Sequence, residues 1–434
     1  MATAVRCTEA SSIAGKAMST IPTSSETAVS MQPGTVDKGQ FTTLAGLSAL
    51  YVGFGMTMGV IQGGFPTVMR AAGMSIGSAG WLYALYLPFG VAFLWSPLID
   101  RWRPPVLTPR IGWIVPLQIL AALIVCGVAF MEGAPIVLLF ALGFLVACAM
   151  ATMDIALDGL AVDLVMPVWR PNAAAAKLAA LSMGAMIGTG AFVALFQHLG
   201  WLPIFLGFGG VLLLLTLPVL ALIPSERTLP RREGGDARSG KASLTRVLAE
   251  PLQRKRLMLL TFACCVIFPL SGLNRLMLVD LGLSVETIGW VVGTLGPVAM
   301  FVTALISMPL MQRTGLAGSL IAFTALGLAA LTAMAAGFQF EVSVAALTGT
   351  ILIGAAVSGI YVALTARILG WASGQQPATD YAVFYGAGRL ASTIVIIAAA
   401  QFIAHLGWPL FYGLGAVGLI VVFGLVHGPV SERT

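Results

Sequence analysis

The apolar residues of this chain fall in long runs rather than at period 2, and that grouping limits the fold more than any motif does. Each run is long enough to cross roughly 30 Å of hydrocarbon as a helix. Composition agrees: the chain is 58% hydrophobic and 9% charged, with a mean hydropathy of +0.96. Soluble chains are about 45–50% apolar and about 25% charged. A soluble protein this poor in charge could not cover its own surface, so its solvent is lipid. The 50 glycines and 23 prolines would break helices in water. They are tolerated in membrane helices, where neighbouring helices re-satisfy the freed backbone groups.

The runs predict an all-α membrane protein with about twelve transmembrane helices, over residues 43–64, 79–99, 111–130, 136–157, 173–196, 202–223, 257–279, 288–310, 316–337, 344–366, 380–403 and 410–427. Most connections are short. The stretch from Pro224 to Arg256 is polar and basic, and it divides the chain into two sets of six. The expected organisation is a tail at 1–42, a six-helix bundle at 43–223, a central loop at 224–256, a second bundle at 257–427 and a tail at 428–434. The first 40 residues are rich in Ser, Thr and Ala and lack the apolar core of a signal peptide, so a disordered cytoplasmic tail is expected there. Cys7, Cys126, Cys148, Cys264 and Cys265 show no ligand spacing and no disulfide framework.

Lys and Arg set the orientation. With twelve spans, 20 of the 23 basic residues fall on one side of the membrane. Arg70 falls on the other side, and Arg275 and Arg389 fall within spans. Losing one span would scramble this asymmetry, so it supports the count independently. Both termini and the central loop are expected to be cytoplasmic, in the inner membrane. The net charge of +6 is explained by topology and calls for no nucleic-acid partner.

The halves repeat. His198-Leu199-Gly200-Trp201 precedes the sixth span, and His405-Leu406-Gly407-Trp408 precedes the twelfth, 207 residues on. Pro97-Leu98-Ile99-Asp100-Arg101 ends the second span, and Pro309-Leu310-Met311-Gln312-Arg313 ends the eighth, 212 residues on. Two landmarks at nearly one offset argue for a duplicated six-helix unit, a transporter plan that places the solute between the halves.

Two sixes, a long central loop and a basic turn after the second span resemble the major facilitator superfamily. The family's Gly-rich turn is replaced here: Asp100, Arg101 and Arg103 are kept, with Trp102-Arg103-Pro104-Pro105 in place of the glycines. Phe93 to Arg101 and Ala151-Thr152-Met153-Asp154-Ile155-Ala156-Leu157-Asp158-Gly159 resemble the muropeptide permeases and their siderophore-permease relatives. In the second half, Leu278-Val279-Asp280-Leu281-Gly282-Leu283-Ser284, followed by Ile288-Gly289, is more similar to the rhizobactin and pyochelin siderophore permeases. The resemblance covers about residues 43–427 and implies the major facilitator fold.

Few charges remain inside the spans. Asp154 and Asp158 are four apart and share a helix face. A carboxylate deep in a helix costs about 2.5–3.5 kcal/mol, so it faces a cavity or a partner. Asp154 and Asp158 are candidates for proton coupling or substrate binding, or for a latch to Arg101, Arg103 or Arg170. Asp163 reads as part of a cytoplasmic gate with Asp100, Arg101 and Arg103. Arg389, midway along the eleventh span, is too central to snorkel; it suits an anionic solute or an aspartate. Arg275 suits an anionic solute too, or else snorkels or pairs with Asp280. Tyr86, Trp95 and Tyr385 are candidates for an aromatic substrate cavity, against a role in helix packing. Gly184, Gly188 and Gly190 form a small-residue stripe suited to close helix packing.

Enzyme readings fare poorly. The run from Asp154 to Asp163 faintly resembles the metal motif of membrane CDP-alcohol phosphotransferases but lacks its Ala-Arg and its second Asp pair. The three His are not grouped, and there is no P-loop. No metal or cofactor is expected, and nothing calls for more than a monomer. The sequence leads to a proton-coupled secondary transporter importing a siderophore or its iron complex by alternating access. Muropeptide import is the alternative, with small-molecule efflux behind it.

Overall fold

The computed structural model describes residues 38–102, 104, 107–228, 250–371 and 377–427. Residues 1–37 of the tail expected at 1–42, the tail at 428–434 and most of the central loop (229–249) lie outside them, and residues 38–42 are already helical. Among the described residues there are helices and no strands.

Among the described residues, ten helices are long and apolar enough to cross a membrane. One of them, Val285–Gln339, is two spans in sequence, parted at Gly315 with φ 72°. Span 1 is Gly39–Ala71, span 3 Ile111–Ala129, span 4 Ile136–Leu164, span 5 Asn172–Leu199, span 6 Trp201–Leu220 and span 7 Pro251–Asp280. Spans 8 and 9 share Val285–Gln339. Span 10 is Ser343–Trp371, span 11 Pro377–Leu406 and span 12 Trp408–His427. Span 2 completes the twelve. It runs from Ile76 to Arg101 in five short helical pieces, interrupted near Pro88 and Pro97, which lack the N–H that an unbroken helix needs.

The duplication reaches the backbone. Each residue of left-handed φ among those described has a counterpart 207 to 209 positions away: Gly73 with Gly282, Leu107 with Gly315, Gly133 with Glu341, Gly200 with Gly407. Ser75 and Ser284 cap the helices that follow the first pair, accepting from the amides of Ser78 and Thr287, both at 3.2 Å. Each half also has its own apolar core, one drawn almost wholly from residues 47–222 and the other from 260–426.

The halves meet where side chains are smallest. A Cβ on Gly289 would lie 2.4 Å from the Ala194 nitrogen, and one on Gly80 would lie 2.3 Å from the Ala400 Cβ. The first pair joins span 8 to span 5, the second span 2 to span 11. Spans 1, 5 and 8 each carry a wider π-helical turn, at Val60–Gly64, Met186–Ala191 and Ile288–Val292. Such turns re-aim a helix face without ending the helix.

Polar contacts between the halves crowd the face opposite the central loop. Arg70 Nε pairs with Asp280 Oδ1 at 2.7 Å, and His198 with Glu286 at 3.1 Å. Gln401 donates to the Gly77 carbonyl at 2.7 Å. Deeper in, Tyr83 donates to the Gly272 carbonyl at 2.8 Å and Thr189 to that of Gly293 at 3.3 Å. These contacts close that face.

Candidate functional site in the seam between the halves

Span 4 brings three carboxylates towards the central-loop face. Asp158 accepts from the Tyr51 hydroxyl at 2.6 Å and from Lys177 Nζ at 2.5 Å. Lys177 also sits over the Tyr51 ring, 4.7 Å from its centre. Spans 1, 4 and 5 are thus tied by one cation, one anion and one phenol. A cavity of about 290 Å³ adjoins them, with Ser48, Tyr51, Asp158, Arg170 and Lys177 in its wall. Asp158 takes Lys177 rather than any of the arginines considered from sequence.

Asp154 lies one turn deeper, about 15 Å from the end of its helix. Its Oδ1 is buried with no hydrogen-bond partner. The charges that act on it are Asp158 and Lys177 from its own half and Arg389 from the other. Arg389 comes from span 11 and lies over the Tyr86 ring of span 2, 5.0 Å from its centre. A carboxylate of one half and a guanidinium of the other therefore share the seam at mid-depth.

Other candidates are placed elsewhere. Asp163 meets Arg110 at 3.7 Å. Beside it, buried Glu226 accepts from the Thr108 hydroxyl and from the amides of Arg110 at 2.6 Å and Ile111 at 3.2 Å. That carboxylate caps span 3 from the short helix Ile223–Arg227 that follows span 6. Trp95 donates its indole N–H to Thr152 at 3.2 Å, pinning span 2 to span 4. Of the three aromatics, Tyr86 is the one the structure places on the seam. Arg103 and the side chains of Asp100, Arg101 and Tyr385 lie outside what the structure describes.

Arg275 is half-buried on span 7, just past a break after Gly272. Its Nη1 would lie 2.7 Å from a Cβ on Gly63 of span 1, and it acts electrostatically on Tyr83 of span 2. Its Nε is buried without a partner. Asp280, the partner considered from sequence, is held instead by Arg70 and by the Trp408 indole at 2.8 Å.

Tyr51 and Lys177 were not picked out from sequence. Lys177 lies inside the span 5 helix. A charge that close to an apolar run, opposite a carboxylate on the preceding span, was the available signal.

The Major Facilitator Superfamily profile matches residues 47–279, more than half of the chain. The chain belongs to the major facilitator superfamily. This superfamily member is 26% identical over 286 residues to the anhydromuropeptide permease of Escherichia coli K12. That match takes in 63% of the chain and 57% of the permease. An uncharacterized Haemophilus influenzae protein is 29% identical over 124 residues, covering 27% of the chain and 29% of that protein. Among solved structures, the fold resembles a bacterial homologue of the human lysosomal transporter Spinster, inward-facing and occupied. That comparison has a TM-score of 0.67 at 14% identity and covers 92% of this chain and 98% of that one. A bacterial ferroportin homologue in an inward-facing state gives a TM-score of 0.63 at 17% identity, over 92% and 100% of the two chains. The chain is thus a multi-pass membrane protein with the major facilitator fold, and its match spans little more than half the length of the curated permease.

Proposed function

We propose that this transporter imports a carboxylate-bearing solute of the anhydromuropeptide class across the inner membrane, driven by protons. The observation that carries the reading is Asp154 with its orphan Oδ1, facing Arg389 across the seam. A carboxylate that one half shares with a cation of the other can exchange that partner for a proton as the halves rock. A solute carboxylate can then take the vacated guanidinium, whose planar fork suits it. Lys177 and Tyr51 already partner Asp158, which leaves Asp154 as the proton-carrying carboxylate of this reading.

The cargo class draws support from the similarity to the Escherichia coli permease. The siderophore expectation rests on the second-half resemblance around Asp280, on Arg389 and on the aromatic cavity expected from Tyr86, Trp95 and Tyr385. With the basic face taken as cytoplasmic by its Lys and Arg excess, the closed face is periplasmic and this state is open inwards.

The test is uptake of a labelled anhydromuropeptide into proteoliposomes under an imposed pH gradient. Asp154→Asn is expected to abolish gradient-driven accumulation and to retain exchange of labelled for unlabelled solute. Full accumulation by Asp154→Asn rejects the coupling role. A wild-type protein that ignores muropeptides but accumulates a ferric siderophore rejects the cargo class.

A further inference from the structure

Two arginines of the second half, Arg275 and Arg389, approach the same face of span 2. The segment Leu82–Tyr86 is a 3₁₀ turn. Side chains three apart on such a turn eclipse one another, separated by about 6 Å along the axis. Tyr83 and Tyr86 are three apart. Arg389 lies over Tyr86, and Arg275 is the cation that acts on Tyr83. The 3₁₀ turn therefore sets two Tyr–Arg pairs one above the other along the seam.

The upper pair is incomplete. Tyr83 gives its hydroxyl to the Gly272 carbonyl, at the break of span 7. Arg275 has an orphan Nε, and among the described residues no carboxylate pairs with it. Asn274 beside it is fully buried, with both amide atoms unpartnered. A buried donor left unmade costs about 1–3 kcal/mol, more for a charged one. Gly63 lets the guanidinium lie directly against span 1 in the seam, since a Cβ there would be 2.7 Å from Nη1. A half-buried cation with an unmade donor, beside an unpartnered amide and set between the two halves, is suited to receive an anion.

We infer that Arg275 is a second anion-binding post, and that the solute carries two anionic groups, one for Arg389 and one for Arg275. This inference rests on the reading of the cargo as a carboxylate-bearing solute. The first post lies level with Asp154 and the second lies nearer the closed face, so the solute bridges the depth at which the halves pivot.

The test uses a labelled anhydromuropeptide tripeptide and two derivatives, each with one carboxylate converted to the primary amide. With wild-type protein, either amidation is expected to raise KM about ten-fold, the loss of one charge-assisted hydrogen bond. Arg275→Gln should respond to one amidation only and Arg389→Gln to the other. Arg275→Lys should keep the wild-type pattern at a raised KM. If Arg275→Gln stays sensitive to both amidations, or loses Vmax at unchanged KM, Arg275 is structural and the inference fails. A second readout needs no cargo. Thr189→Cys lies beside Gly63 and Arg275 and becomes reachable when the closed face opens. An anionic methanethiosulfonate should label it several-fold faster than a cationic one, and Arg275→Gln should erase that preference. The preference without muropeptide uptake rejects the cargo class and keeps the anion post. Uptake without the preference rejects the post.

Discussion

At the scale of single residues, the site divides charge that is settled from charge that is not. Asp158 has both a cation and a phenol, at 2.5 and 2.6 Å. The pair is partly open to solvent, with 32% and 49% of the Lys177 and Asp158 side chains exposed. A pair this exposed is worth no more than about 1 kcal/mol of stability. Its larger effect is to fix the charge beside Asp154. Lys177→Gln is therefore expected to shift thermal unfolding in detergent little, and to lower gradient-driven uptake at least several-fold. A large drop in stability with normal uptake by the surviving protein would reverse this assignment. The sequence made Asp154, Asp158 and Arg389 visible because ionisable groups in apolar runs are rare. It hid the partner of Asp158, because Lys177 sits near the end of a span, where basic residues are expected for topology alone.

Between elements, packing is decided by glycines that let backbones touch. Span 5 lies on span 1 so closely that a Cβ on Gly184 would be 2.2 Å from the Val52 carbonyl, and one on Gly188 would be 2.1 Å from that of Met56. Span 1 answers with Gly55, whose added Cβ would lie 2.5 Å from the Leu181 carbonyl. The obstruction is backbone, which cannot rotate away as a side chain end can. Gly188→Val should cost upwards of about 1–3 kcal/mol by overpacking, read as a lower unfolding temperature or a loss of monodisperse protein. Gly207→Val on span 6, where nothing lies within 4 Å, should leave both unchanged and serves as the control. The stripe Gly184, Gly188, Gly190 was legible as a helix contact from sequence. Its partner was not, because small residues name no partner, and the π-helical turn at Met186–Ala191 carries Gly190 on to span 8 instead. Twelve helices were legible for the opposite reason: lipid solvation acts on every residue of a run. The broken course of span 2 was not, since proline in an apolar run fits either a kink or a piecewise helix.

For the whole molecule, the state in hand is set by one closed face. Asp280 anchors the closure, taking Arg70 from the first half and Trp408 from its own. Arg70 also donates to the Met74 carbonyl at 2.6 Å, so its guanidinium is held in place before it crosses the seam. With side chains 26% and 16% exposed, this pair is better shielded than Lys177–Asp158. A charge-assisted hydrogen bond of this kind is worth about 1.5–3 kcal/mol. In a two-state rocking equilibrium, 1.4 kcal/mol moves the ratio of states about ten-fold. On the alternating-access reading, opening of this face breaks the bond, so its whole worth falls on that ratio. Asp280→Ala is therefore expected to shift the population towards opening of this face by about ten-fold or more. A cysteine at Ala79, fully buried in the second-half core in this state, reports the shift. Its reaction with an impermeant maleimide added from that side should accelerate by the same factor. Asp280→Asn, which can still accept from Trp408, should fall between wild type and Asp280→Ala. Equal labelling rates in all three proteins would mean that Arg70–Asp280 decorates a closure held by the glycine contacts of spans 5 and 8.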